Sequence, residues 1–206
     1  MSPGFVGGAL WLAAPATVAC VLHMVVVRRG IVAGLAVPLD GGRTFRGRPV
    51  LGANKTWRGV VVVVAGTAIL GALQGGLLGA WADRLGLGLV DYRTASLGAV
   101  APGPLALASG YALVNAALGA AYVVGELPNS FLKRQLDVAP GARPAGRWRA
   151  LFFVLDQCDS ASAAMAVCAL AFALPWRDVA PATLTLAGLH AGVTTLLHAA
   201  RLKRAI

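Results

Sequence analysis

Five stretches of the chain are apolar almost without interruption, at residues 5–27, 60–78, 105–124, 151–174 and 182–200. A helix that crosses the hydrocarbon core of a bilayer needs about 20 such residues, because every backbone amide must find its hydrogen bond inside the segment. The pattern therefore predicts five spanning helices joined by polar connections. The second and third spans hold no charged side chain and many small residues, including Gly75 and Gly79 at GxxxG spacing. Small residues let helices approach closely. A single GxxxG admits a homodimer but points first to packing within the chain.

Composition agrees with the pattern. Of 206 residues, 58% are hydrophobic and 13% charged, where soluble domains average about 45–50% and about 25%. The mean hydropathy of +0.73 excludes a disordered chain and argues against a soluble one. The expected fold is an all-α integral membrane protein, residues 1–206 forming one membrane-embedded domain. No Lys or Arg precedes the first apolar run, so it lacks the positive n-region of a cleaved signal peptide. Cys20, Cys158 and Cys168 each fall in apolar sequence without metal-binding spacing and read as small core residues.

The net charge of +10 would suggest nucleic-acid binding in a soluble protein. Here its distribution carries the information. Seven Lys and Arg lie in segment 28–59 (Arg28, Arg29, Arg43, Arg46, Arg48, Lys55, Arg58) and five in segment 125–150 (Lys133, Arg134, Arg143, Arg147, Arg149). The tail adds Arg201, Lys203 and Arg204, whereas the other side holds only Arg84, Arg93 and Arg177. The positive-inside rule then puts the N-terminus outside and the C-terminus in the cytoplasm, with two basic cytoplasmic loops. Both loops are rich in Gly, Pro, Asn and Thr, offering backbone amides beside fixed cations, which is how phosphates are held. A multi-pass protein of the cell membrane with a cytoplasm-facing site is the expectation.

Three carboxylates stand near lipid. Asp156 and Asp159, in the run Leu-Asp-Gln-Cys-Asp-Ser, would share one helix face at about 5–6 Å between Cβ atoms. Each costs about 2.5–3.5 kcal/mol at mid-membrane on insertion scales, so something cationic should compensate them. Glu126, the only Glu, lies at the cytoplasmic end of the third span, flanking the same loop. Oxygen ligands without His or Cys favour a hard ion, Mg2+ before Ca2+ or Zn2+. An ion-pair network with Lys133 or Arg134 is the other reading. His23 and His198 fall near span ends and read as interfacial; His190 is near mid-span, where it can bond a carbonyl or line a cavity. No serine nucleophile elbow, HExxH or P-loop occurs.

Two stretches carry a resemblance. Residues 38–59 read PLDGGRTFRGRPVLGANKTWRG; residues 125–134 read GELPNSFLKR, followed by Pro140-Gly141 and by LDQCDS at 155–160. In order and spacing these resemble the CDP-archaeol synthase family, related to the phosphatidate cytidylyltransferases. The resemblance implies CMP transfer from CTP to a lipid phosphate, giving a CDP-lipid and pyrophosphate in phospholipid biosynthesis, with Mg2+. It matches Asn54, Lys55, Thr56, Arg58 and Gly59 to the nucleotide loop, and Ser130, Lys133 and Arg134 to the second motif. Asp156 and Asp159 would be metal ligands, with Glu126, where the family often has Asp, as a third or supporting group. Lys55 and Arg58 would hold the triphosphate, helped by Thr56 and the Gly59 amide. Lys133 and Arg134 would bind the acceptor phosphate or the leaving pyrophosphate. Asp40-Gly41-Gly42 reads as a turn or a further ligand.

Other classes fit less well. The CDP-alcohol phosphotransferase signature is absent, since no Ala-Arg follows Asp40-Gly41. A transporter should show paired, interrupted hydrophobic halves, and a non-catalytic scaffold leaves the clustered charge motifs unexplained. A nucleic-acid binder should interleave its bases with stacking aromatics, but the loops offer only Phe45, Trp57 and Trp148.

Overall fold

The computed structural model describes residues 3–92, 104–142, 144 and 146–199. Arg93, Arg143, Arg201, Lys203, Arg204 and the side chain of His198 lie outside the described residues. Five helices form the body: α1 (Pro3–Arg28), α2 (Trp57–Arg84), α3 (Pro104–Gln135), α4 (Arg149–Ala171) and α5 (Trp176–Ala199). Each contains a segment long and apolar enough to cross a membrane. Among the described residues, sheet is limited to a small antiparallel hairpin, β1 (Thr44–Phe45) and β2 (Arg48–Pro49).

Helix α3 is the centre of the bundle, packed most extensively on α2 and next on α4, while α1 lies against α2 and α5 closes onto α4 and α1. Glycines make the α2–α3 approach close. A Cβ added at Gly71 would stand 2.6 Å from Asn115, and one at Gly75 would stand 2.6 Å from Tyr111. Gly79 continues the stripe against Leu107 at 3.3 Å. The GxxxG pair therefore packs α2 on α3 inside one chain, as its composition suggested. Leu12, Leu107, Tyr111, Val114, Leu118, Met165 and Cys168 fill the core beside this contact, and Tyr92 stacks on Tyr111 at 3.6 Å between ring centroids. Cys168 is a buried free thiol that packs as a small apolar residue.

Most helices outrun the apolar stretches that announced them, although α4 stops at Ala171, short of the expected 174. Helix α3 continues eleven residues past Val124, through Pro128 to Gln135, so half of the expected second loop is helix. Hydropathy marks where lipid ends and not where helical hydrogen bonding ends. Pro128 removes one intrahelical donor, and the polar face beyond it is stabilised by other elements, described below. Ser130 consequently sits inside α3, where its hydroxyl cannot act as a helix cap.

The first loop is organised by its own backbone. Arg46 and Gly47, at φ 52° and 78°, supply the paired positive values of a type I′ hairpin turn. The hairpin docks on the end of α3: the Arg48 guanidinium donates to the Gln135 carbonyl and pairs with Asp137 at 2.6 Å, and Phe45 meets Phe131 at 5.8 Å between centroids. Gln135 returns a hydrogen bond from Nε2 to the Pro49 carbonyl at 3.2 Å.

Overpacking a tight helix contact costs about 1–3 kcal/mol or more. Gly75→Leu is expected to lower the melting temperature of the purified protein by several degrees. Gly192→Leu, where an added Cβ meets nothing within 4 Å, should leave it nearly unchanged. Equal melting of the two variants would contradict the α2–α3 packing.

Candidate active site

The first motif folds into the start of α2. The loop's two ends pair, with Leu39 N–H donating to the Lys55 carbonyl at 2.8 Å and Trp57 N–H to the Val37 carbonyl at 3.0 Å. That pairing fixes Lys55 immediately before the helix. Thr56 is the N-cap, its Oγ1 accepting from Gly59 N–H at 3.3 Å. The Thr56 hydroxyl and the Gly59 amide thus already satisfy one another. The first turn carries no acid, so nothing in it offsets the positive end of the helix dipole, and Lys55 and Arg58 add to that field. Arg58 Nε is buried without a hydrogen-bond partner among the described residues. Trp57 is exposed, as an interfacial aromatic would be.

Asp40 is the organiser of this loop. Its carboxylate accepts from Leu51 N–H at 2.7 Å, Gly42 N–H at 2.9 Å and Gly52 N–H at 3.1 Å. It closes a turn and braces the strand that leads to Asn54 and Lys55. Of the two roles its sequence left open, the turn is the one the hydrogen bonds occupy.

The second motif supplies one face of α3. Glu126, Asn129, Ser130 and Lys133 recur at helical spacing, with Glu126 reaching the loop before α2 and Asn129 and Lys133 reaching α4. Glu126 pairs with Lys55, and Lys133 pairs with Asp156. Between them Asn129 donates from Nδ2 to Asp156 Oδ1 at 2.7 Å and to Asp159 Oδ2 at 2.8 Å. Asp159 Oδ1 also accepts from the Ser160 backbone N–H at 2.6 Å and from its hydroxyl at 3.1 Å. Asp156 and Asp159 are thus brought together on one face of α4, and their like charges are compensated by a cation and a shared amide. Arg134 is placed differently: it is buried, and its guanidinium donates to the Val138 carbonyl, holding the turn after α3.

A cavity of about 330 Å³ begins beside this network and runs into the bundle. Its polar end carries His23, Asn54, Lys55, Thr56, Glu126 and Gln157, and its apolar walls include Leu12, Val63, Leu118, Met165 and Leu186, so that all five helices contribute. Lys133, Arg134, Ser130, Asp156 and Asp159 are not among its lining residues; they stand behind Glu126 and Gln157 on the same helices. His23, expected at the interface, lines the cavity next to Gly59. His190 lines it too, stacked near Tyr122 at 6.5 Å.

Sequence reasoning missed Asn129 and Gln157. The available signal was position: Asn129 follows Glu126 by three residues and precedes Lys133 by four, one helical face once α3 is carried past Pro128. Among the described residues no group of three His, Cys, Asp and Glu is close enough to hold a metal ion, and Glu126 is paired with Lys55. The donor set at Asp156 and Asp159 nevertheless fits a hard cation. Two carboxylates face one amide whose other atom, Asn129 Oδ1, is buried without a partner.

Fold and site together define a multi-helix membrane protein with a compensated carboxylate–lysine network at one end of an apolar cavity. The chain belongs to the CarS-like CDP-archaeol synthase family, whose model matches residues 6–204. It is similar to the curated CDP-archaeol synthase of Halobacterium salinarum, 36% identical over 142 residues, 68% of this chain and 64% of the relative. The corresponding proteins of Halorubrum lacusprofundi and Thermococcus onnurineus are 34% and 32% identical, over 66% and 72% of this chain and 61% and 67% of theirs. The matched region thus spans less than two thirds of the length of the two haloarchaeal relatives. No solved structure is a significant match.

Asp40 gives a pH-dependent test. Partial burial alone would raise its pKa, but the N–H groups of Leu51, Gly42 and Gly52 outweigh that and hold it below the ordinary carboxylate value. A depressed pKa means that its contribution is fully present above the ordinary value and fades as pH falls through the folded one. At neutral pH, Asp40→Ala should lower hydrogen-exchange protection at Leu51 and Gly52 about tenfold, the scale of a charge-assisted hydrogen bond. In the wild type the same loss should appear only in acid. Unchanged protection in the variant at neutral pH would contradict the bracing role.

Proposed function

We propose that this chain transfers CMP from CTP to the phosphate of a membrane lipid, releasing pyrophosphate and leaving a CDP-lipid. The observation that supports it most is the joining of the motif stretches: Lys55 with Glu126 at the polar end of a largely apolar cavity, and Asn129 and Lys133 with Asp156 and Asp159 behind it. Such a site suits a substrate with a polyanionic head and a hydrocarbon tail. Family membership points the same way.

Nucleotidyl transfer relies on positioning and charge neutralisation more than on covalent help. Lys55, Arg58 and the positive end of the α2 dipole bind the triphosphate, with Asn54 beside them at the polar end of the cavity. Glu126 holds Lys55 in place until the phosphates take over its charge. Lys133 meets the acceptor phosphate or the departing pyrophosphate, exchanging Asp156 for the new anion. Ser130 lies on the same face of α3, and Arg134 keeps the end of that helix in register. An acceptor phosphate oxygen, already anionic near neutral pH, attacks the α-phosphorus in line and needs no general base. Mg2+ held at Asp156 and Asp159, with Glu126 in support, would supply further neutralisation of phosphate charge. The apolar walls receive the tail, of an archaeal-type ether-lipid phosphate or of phosphatidic acid.

In this reading the N-terminus is outside, and the C-terminus and both basic segments face the cytoplasm of the cell membrane, where CTP is. A tag placed after Ile206 should be reached by protease or label only from the cytoplasmic side; labelling from outside would overturn the orientation.

Purified protein in lipid nanodiscs is expected to convert labelled CTP and a lipid phosphate to CDP-lipid only with a divalent cation. Assays with phosphatidic acid and with an ether-lipid phosphate name the acceptor. Lys55→Ala and Asp159→Asn should each lose activity about a hundredfold, the scale of one removed electrostatic contact to the transition state, while still inserting in membranes. Turnover that survives chelation would remove the cation, wild-type rates in either variant would remove that residue's role, and no CTP consumption with either lipid would remove the activity.

A further inference from the structure

The amide of Asn129 is shared between the two carboxylates by its nitrogen alone. Lys133 already pairs with Asp156, and Ser160 already satisfies Asp159 Oδ1. Asn129 nevertheless reaches both carboxylates with one nitrogen, at 2.7 and 2.8 Å, from a side chain that is 7% exposed. Its Oδ1 is buried and has no partner among the described residues. A buried acceptor left unpaired is costly, so its placement calls for a partner.

We propose that Asn129 is an oxygen ligand for the divalent cation, held in reserve with its nitrogen in the cation's place. The inference rests on the reading above only in taking that reading's cation to sit at Asp156 and Asp159. Without a cation the –NH2 must face the carboxylates, because an oxygen there would meet two anions. With a cation between the carboxylates the preference reverses. A half-turn about the Cβ–Cγ bond then exchanges Nδ2 for Oδ1, and the oxygen gives up no hydrogen bond in moving. Asn129 thereby supplies the third protein oxygen that Glu126, engaged by Lys55, does not bring to this pair. An amide suits the role because it can be donor in one state and ligand in the other, which neither Asp nor Leu can.

The test uses the full chain in nanodiscs with Mn2+ as probe, without CTP or lipid phosphate, so that it does not depend on turnover. Mn2+ bound to protein carrying 13Cγ-labelled asparagine should show a 13C hyperfine coupling in electron–nuclear double resonance. The chain has three asparagines, Asn54, Asn115 and Asn129, and Asn129→Asp in the same labelled background should abolish the coupling. By equilibrium titration, Asn129→Leu should weaken Mn2+ binding by roughly tenfold or more, the loss typical of removing a supporting group at a metal site. Asn129→Asp, which keeps an oxygen but no N–H, should bind at least as tightly as the wild type. Absence of the coupling in the wild type would overturn the proposal, as would equal weakening in Asp and Leu variants, which would make the amide a hydrogen-bond donor only. Should Asn129→Leu fail to fold, the coupling and the Asp variant decide. No Mn2+ binding by the wild type would also overturn it, while the CTP assay would still judge the transferase reading separately.

Discussion

Charged side chains at the edge of a bilayer are stable only in company, and that requirement shapes this molecule. Eight acids and eighteen Lys and Arg are unequally shared, and the acids nearest lipid are each matched to a specific donor. Lys55 meets Glu126, Lys133 meets Asp156, and Asn129 spans Asp156 and Asp159. These pairs are only partly buried, so removing one member leaves a charge that solvent screens in part. The same contacts tie the start of α2 to α3 and α3 to α4. The network is therefore a structural clamp and, in the proposed function, the site itself, because phosphates can replace the carboxylates as partners of the lysines.

Around this clamp the remaining features act as supports. The glycine stripe at Gly71, Gly75 and Gly79 brings α2 close to α3. Asp40 braces the loop on which Lys55 is carried, and Arg48 fastens that loop to the end of α3. Arg134, buried under the turn at Val138, keeps that end in place. Several basic residues that a motif reading would assign to substrate are thus occupied with the scaffold that presents Lys55 and Lys133.

Much of this was legible in the sequence because membrane solvation is a strong filter. Runs of about 20 apolar residues have few fates, so the five helices and the packing role of Gly75 and Gly79 follow from composition. Paired acids at Asp156 and Asp159 were conspicuous because they are expensive. Helix ends were less legible: hydropathy falls at Val124, but hydrogen bonding continues to Gln135, and Pro128 reads locally as a terminator. That misplacement hid Asn129, whose significance depends on sharing a continuous helical face with Glu126 and Lys133. The cavity was invisible for another reason, since it is lined by residues from all five helices whose convergence no local pattern encodes.

Membership of the CDP-archaeol synthase family and the polar clamp meet at one physical claim, that Lys55 and Glu126 are coupled across α2 and α3. A double-mutant cycle of Lys55→Met and Glu126→Gln, read by unfolding free energy in detergent, tests it most directly. The account predicts that the two single variants are each destabilised and that the double variant recovers part of the loss, with a coupling of about 1–3 kcal/mol. Strictly additive effects, within about 0.3–0.5 kcal/mol, would contradict it.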